Sequence, residues 1–449
     1  MLRGFIGDPM GFALRCAREK GAIVELPIPG LPTVLISDPA LIEQVLLKDH
    51  ELYVKDHFTR LLTEVLGQGL LVSEGDFWRR QRRMMQPAFH HKRIAAYARI
   101  MVVETRAMCD AFRDGEERDV HAEMMHLTLR IVARALFGAG ISDAQAKLVE
   151  AAIATMMQRY LGILGSGLVL PLSLPTPAAR RFRRQMAELD ILLLGIIERR
   201  RSALHAEAEA SDDLLDMLLK MQDEDGARMS NAQLRDECMT LFLAGHETTA
   251  LTLTYCVHLL GKDPAAEARL HQELDTVLAG RVPQVDDLQQ LVFTRAVINE
   301  SLRLYPPAWS IGREASTDTS LGGYRIRKGT QIWISPYIMH RDLAHFPDAE
   351  TFRPERWLDG LEKELPRYVF MPFGGGPRIC IGNAFALTEA VLALATIAQR
   401  MRLRLVDTRD PELVPTITLR PKGPLRACVE RREADRHETR GQDSNPPRR

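Results

Sequence analysis

Apolar residues recur three and four positions apart along most of this chain, the spacing that gathers them on one face of a helix. The pattern predicts helices over residues 40–47, 76–85, 93–112, 121–137, 179–205, 231–260, 264–278, 293–304 and 383–401. Alternation with a period of two is scarcer. It predicts strands at 22–26 and 33–37 around a proline-rich turn, and at 324–327 and 331–335 around Lys328-Gly329. A last apolar stretch at 417–429, broken by Pro421, Gly423 and Pro424, reads as a hairpin. Residues 165–177 read as a loop between helices, and no repeat of fixed period is present. The expected fold is mainly α with small β-sheets, a single domain over 1–430. The charged residues 431–449 lack apolar spacing and are expected to form a disordered tail.

Composition narrows this picture. With 449 residues, 46% of them hydrophobic, the chain can bury a large core. Its 59 basic and 59 acidic residues cancel, so no bulk field points to nucleic acid or to an anionic membrane. The six cysteines include no CxxC pair and no disulfide framework, which fits a reducing compartment. Short apolar runs near the start are broken by Asp8-Pro9 and by Arg15, Arg18, Glu19 and Lys20. That is the pattern of neither a signal peptide nor a membrane anchor. A cytoplasmic monomer is expected.

Candidate chemistry concentrates in Phe373-Gly374-Gly375-Gly376-Pro377-Arg378-Ile379-Cys380-Ile381-Gly382, just ahead of a helix. Consecutive glycines allow backbone to approach a flat ligand. The orphan N–H groups and positive dipole end of a helix start favour a thiolate there, and thiolate is a strong axial ligand for iron. Gly382 would let the helix pass beneath a macrocycle, and Arg378 could pair with a carboxylate. A structural cysteine following a glycine turn is the alternative.

The positions of Phe373, Gly376, Arg378, Cys380 and Gly382 resemble the cysteine-loop signature of the cytochrome P-450 family. The resemblance extends along nearly the whole chain. It implies the fold of that family, with haem b between a long central helix and the cysteine loop, and Cys380 as the metal ligand. By the same likeness Phe373, Gly374, Gly382 and Ala244 lie against the cofactor, while Trp78, Arg82, Arg313 and Arg378 hold its propionates. Trp78 and Arg82 are four apart, hence on one helical face, and both donate hydrogen bonds.

The predicted helix at 231–260 would be about 45 Å long. Its middle, Ala244-Gly245-His246-Glu247-Thr248-Thr249, is poor helix material, and its hydroxyls can bond back to carbonyls and open a local groove. A polar patch facing solvent, or threonines satisfied by their own turn, would look the same. The segment is similar to the family's oxygen-binding motif, which implies that Thr248 hydrogen-bonds the O2 undergoing cleavage and Glu247 relays protons from solvent. His246 is given no role.

Glu300 and Arg303 share a helical face, and the resemblance implies that they clamp Arg356 in a buried charge network. Arg79, Arg80 and Arg83 offer a docking patch for an acidic electron carrier. Met84-Met85, Met124-Met125 and Met156-Met157 are read as packing. Leu66, Leu70, Leu71, Leu243, Trp309 and Ile417 are candidate pocket walls, which suit a lipophilic substrate such as a terpene, fatty acid, steroid or polyketide. The resemblance runs from the N-terminal strands to about Cys428, so no fused flavin or iron–sulfur segment is expected. O2 and electrons from a separate ferredoxin or flavodoxin with an NAD(P)H-dependent reductase are therefore expected to serve a monooxygenase. A haem-thiolate isomerase, dehydratase or peroxygenase, or a non-catalytic haem carrier, is the competing reading.

Overall fold

The computed structural model describes residues 8–432 except 27, 29, 139–141, 167–171, 173, 175, 206–212 and 224–225. Most of the loop expected at 165–177, and the expected tail from 433 onward, lie outside the described residues. Arg431, assigned by sequence to that tail, is instead the last residue of a strand, with its backbone N–H on Asp114 at 2.7 Å.

The architecture is mainly helical. The longer helices are α1 (Pro9–Lys20), α2 (Gly75–Met85), α3 (His91–Ala111), α4 (Val120–Phe137), α5 (Asp143–Ser166), α6 (Pro177–His205), α7 (Asn231–Lys262), α8 (Pro264–Leu278), α9 (Val292–Leu304) and α10 (Asn383–Arg400). Caps explain where several begin. Asp8 accepts from Gly11 N ahead of Pro9 in α1, and Ser230 with Gln233 closes a capping box on α7. The spacing of apolar residues found most helices to within two residues. It missed α1 and α5, and the helix expected at 40–47 divides into an α-turn at Pro39–Glu43 and a π-turn at Gln44–Lys48.

The strands are β1 (Ile23–Leu26), β2 (Thr33–Ile36), β3 (Tyr53–Lys55), β4 (Glu117–Asp119), β5 (Ile311–Ala315), β6 (Thr319–Leu321), β7 (Tyr324–Ile326), β8 (Gln331–Ile334), β9 (Met401–Leu405), β10 (Leu413–Pro415), β11 (Leu419–Pro421) and β12 (Arg426–Arg431). A five-stranded sheet runs β1-β2-β8-β5-β3, parallel only between β2 and β8. The hairpin expected at 417–429 does not form. Its first half, β11, pairs back with β10, and its second half, β12, pairs with β9 and β4. Pro421, Gly423 and Pro424 separate the halves rather than turning one onto the other.

The core is helical. Helix α7 packs along α4 and against α10, and α10 also covers α3. Twenty-one α7 residues are buried, from Leu234 to Leu260, so both flanks of the helix are covered. Among the described residues, no helix is long and apolar enough to cross a membrane.

Candidate active site

A cavity of about 890 Å³ lies between the middle of α7 and the loop ahead of α10. Every site residue expected from sequence lines it: Trp78, Arg82, Ala244, Glu247, Thr248, Arg313, Phe373, Gly374, Arg378, Cys380 and Gly382. Of the expected wall residues, Leu70, Leu71, Leu243, Trp309 and Ile417 line it too. Leu66 does not; it is fully buried in the hydrophobic core.

The cysteine loop is set by backbone contacts. Cys380 N donates to the Phe373 carbonyl at 3.0 Å, and Ile379 N to Gly376 at 3.1 Å. Gly376 has φ +65°, and a Cβ there would fall 1.8 Å from the Leu46 carbonyl oxygen, so only glycine fits. At Gly382 a Cβ would meet nothing closer than Phe89 at 3.7 Å; that face is open to the cavity. Cys380 is exposed to the cavity, while the other described cysteines are buried or half-buried. Helix α10 begins only at Asn383. Burial pushes the Cys380 thiol above its ordinary range, opposed by the Gly382 N–H and by the Arg82 guanidinium. In the protein alone, burial outweighs that N–H and that guanidinium.

The cations at the other edge of the cavity are crowded, two of them buried and two half-buried. Lys55 on β3 stands directly opposite Arg313 on β5, both buried; Arg378 faces both of them, and Arg82 faces Arg378. Burial lowers Arg313 to about 10, helped by Arg378 and opposed by Asp56 and Glu74. Burial also lowers Lys55 well below its ordinary range, reinforced by Arg313 and Arg378. Like charges in register across a ladder repel, and among the described residues the acids facing Lys55, Arg313 and Arg378 are Asp56 and Glu74. Glu74 accepts from Lys55 N at 2.6 Å and from Arg378 Nη2. Arg378 stacks 4.2 Å from the Trp78 ring, its Nη1 buried with no hydrogen-bond partner, and Arg82 Nη1 donates to the Ile379 carbonyl at 2.6 Å. An excess of buried and half-buried positive charge with an orphaned donor fits a ligand bearing two carboxylates, as haem does.

Sequence reasoning missed Lys55 and Glu74. The available signal was a lysine at the inward position of the strand Tyr53-Val54-Lys55, where an apolar residue belongs.

Across the cavity from the cysteine loop, α7 is one uninterrupted helix, as expected. Its hydroxyls do bond back: Thr248 Oγ1 donates to Ala244 at 2.8 Å and Thr252 Oγ1 to Thr248 at 2.9 Å. That leaves the Thr248 oxygen able to accept from the cavity. Glu247 is 1% exposed, and its Oε1 accepts from Thr418 Oγ1 and Arg420 Nε. Burial alone would raise its carboxyl; Arg420, Thr418 and His246 together hold it below the ordinary range. His246 is fully buried, its Nδ1 3.3 Å from the Phe242 carbonyl, and does not line the cavity.

Behind the loop, Glu300 accepts from Arg303 Nε and Nη2 at 2.9 and 2.8 Å, Arg356 Nε at 3.0 Å, Trp357 Nε1 at 2.8 Å and Arg353 N at 2.9 Å. On α2, Arg79 is engaged by Asp76 and Glu51, and Arg80 by Asp223 at 2.6 Å. Met84, Met85, Met124, Met156 and Met157 are buried in the hydrophobic core. No group of three or more His, Cys, Asp and Glu among the described residues could hold a metal unaided. A metal at Cys380 would need its other ligands brought by a macrocycle.

The family model for cytochrome P-450 matches residues 5–429. Cyclooctat-9-en-7-ol 5-monooxygenase of Streptomyces melanosporofaciens is 40% identical over 392 residues, 86% of this chain and 83% of that one. Pentalenene oxygenase of Streptomyces avermitilis is 36% identical over 402 residues, 89% of this chain and 88% of that one. The crystal structure of CYP175A1 from Thermus thermophillus aligns with a TM-score of 0.75 at 32% identity, covering 96% of this chain and 97% of that one.

Proposed function

The chain belongs to the cytochrome P-450 family, has its fold and is a monooxygenase, and from that premise we propose that Cys380 holds the iron of haem b while the enzyme oxidises a terpene hydrocarbon or terpene alcohol. Membership brings with it haem with a cysteine thiolate ligand, O2, a redox partner and a lipophilic substrate. When bound, haem supplies the activation of O2 and the transfer of one oxygen atom to the substrate.

The chain's own residues do the rest. Lys55, Arg82, Arg313 and Arg378 neutralise and orient the propionates, which in turn relieve their mutual repulsion. Leu70, Leu243, Trp309 and Ile417 exclude water and hold an apolar substrate. Thr248 holds a proton at its hydroxyl beside the reacting oxygen, and Glu247 passes protons to it. The electrons come from a separate ferredoxin or flavodoxin and its NAD(P)H-dependent reductase.

One observation carries this reading: Cys380 shares a largely apolar cavity with Ala244, Gly245, Glu247 and Thr248, and the edge of that cavity is crowded with buried and half-buried cations. The terpene assignment draws on the names of the two relatives. To test it, terpene hydrocarbons and alcohols are titrated into haem-loaded protein and the Soret band followed for a low-to-high-spin shift. NAD(P)H-driven product formation with a surrogate ferredoxin pair is then measured. A fatty acid or steroid that shifts the band and is turned over, while every terpene fails, overturns the substrate class.

A further inference from the structure

The carboxylate proposed to relay protons is not free within its helix. Glu247 Oε1 is held by Thr418 Oγ1 and Arg420 Nε, both from the β10–β11 hairpin, which follows α7 by more than 150 residues of chain. The turn of the same hairpin, Pro415 to Thr418, lines the cavity. One small element therefore touches the substrate space with its turn and the relay carboxylate with its second strand. The hairpin is anchored at fixed points: Trp309 Nε1 donates to the Thr416 carbonyl at 2.9 Å, and Tyr255 Oη to Leu419 at 2.9 Å.

The Glu247–Arg420 pair differs from the Glu300 brace. Around Glu300 both carboxylate oxygens are saturated with donors. Here Glu247 Oε2 and Arg420 Nη2 are both buried without a hydrogen-bond partner. Glu247 is sealed, whereas the Arg420 side chain keeps 21% exposure, so the guanidinium lies between the carboxylate and water. A saturated bridge is a brace; a pair with an open position on each side can exchange partners. The other groups facing this pair are His246 and Tyr255 on α7 and His121 at the start of α4, with Asp119 beside it.

We propose that Arg420 is a positioning residue that couples substrate occupancy to proton delivery. Paired, it parks the Glu247 carboxylate against β11; substrate pressing on the Pro415–Thr418 turn draws Arg420 away and turns the carboxylate toward Thr248. The inference rests on the monooxygenase reading of the site. Per turnover, two protons pass from water through Glu247 to the O2 being reduced, matched by two electrons from the redox partner. One oxygen atom enters the substrate and the other leaves as water.

The test uses haem-loaded enzyme and the variants Arg420→Gln, Arg420→Lys and Thr418→Ala. Infrared difference spectra on substrate addition are recorded in the carboxylic-acid region, with Glu247→Gln assigning the band. In the wild type, a protonated Glu247 band is expected only once substrate binds. In Arg420→Gln it is expected before substrate, with kcat down about tenfold and substrate affinity by Soret titration within about twofold of wild type. That is less than a direct acid–base group supplies, because Arg420 acts through Glu247. Between about pH 6 and 9 kcat should be flat in wild type and acquire a titration limb in Arg420→Gln, and Arg420→Lys should restore both. If Arg420→Gln fails to fold, Thr418→Ala, which keeps the charge and removes one donor, is read in the same way with a smaller shift. A wild-type spectrum without that band on substrate binding overturns the proposal. So does an Arg420→Gln enzyme that loses stability or affinity yet keeps kcat and its pH profile. A wild type inactive on every lipophilic compound sinks the monooxygenase reading instead, and the infrared arm is read without turnover.

Discussion

Replacing Glu300 with Gln keeps the shape of the brace and removes its one negative charge. Five hydrogen bonds converge on that carboxylate, three at Oε1 and two at Oε2, from donors that include two guanidinium groups. A glutamine serves best with its carbonyl on the Oε1 side, where Arg303 Nη2, Arg356 Nε and Arg353 N converge. Its amide then faces Arg303 Nε and the Trp357 indole as donor against donor. Arg303 is fully buried, and its other bonds, to the carbonyls of His340, Ala349 and Thr351, do not neutralise its charge. Breaking a buried pair by removing one partner costs about 3–5 kcal/mol. Against a typical total of about 5–15 kcal/mol, Glu300→Gln should lower the urea midpoint sharply and yield little haem-loaded protein. Unfolding followed by tryptophan fluorescence is an apt probe, since Trp357 belongs to the brace. A double-mutant cycle with Arg356→Gln should show strong coupling, because removing the second charge relieves part of the first loss. A loss under about 1 kcal/mol for Glu300→Gln, or additive single effects, would refute the reasoning.

Gly376→Ala places a Cβ against the Leu46 carbonyl at a positive φ, so it should destabilise the cysteine loop by about 1–3 kcal/mol or more and reduce haem loading; normal loading would count against the fit. Cys380→His should abolish the reduced carbon-monoxide band for which the family is named, and its persistence would reject Cys380 as the ligand. Lys55→Met removes one of four crowded cations, so the haem-free protein should melt higher while the loaded protein releases haem faster; a lower melting temperature without haem would contradict the repulsion argument. Burial, opposed by Leu70 N–H and aided by Asp236, raises Glu237 to about 8 from its ordinary 4.5. A raised carboxyl contributes stability that is complete below the unfolded value and is lost as pH climbs toward the folded one. Wild-type stability should therefore fall between about pH 4.5 and 8, by at most about 1.4 kcal/mol per pH unit from this group. Glu237→Gln, whose amide oxygen can still accept from Leu70 N, should remove that slope and be the more stable protein at the alkaline end; an unchanged slope in chemical denaturation would refute it.

The cysteine loop, the Ala244–Thr248 segment and the Glu300–Arg303–Arg356 set were legible in the chain because each needs particular residue types at short, fixed spacings. Local physics decides those: glycine where φ is positive, hydroxyls that bond four residues back, a carboxylate three residues from a guanidinium. Helices α2, α3, α4 and α6 to α10 were legible too, since their apolar stripes follow a period the sequence carries alone. Tertiary structure decided what depends on residues far apart. Lys55 opposite Arg313 joins strands more than 250 residues apart in the chain, and only sheet register makes that pairing visible. Glu247 was expected to relay protons from solvent, but that Arg420 and Thr418 lie upon it appears only in the fold. The expected 417–429 hairpin failed for the same reason: β-strand partners are chosen by which edges the fold brings together, and β9 and β4 were waiting for the second half while β10 took the first. Helical hydrogen bonds close within four residues, so sequence can specify them; strand pairs, buried charge clusters and the sealing of a carboxylate have partners only the folded chain can supply.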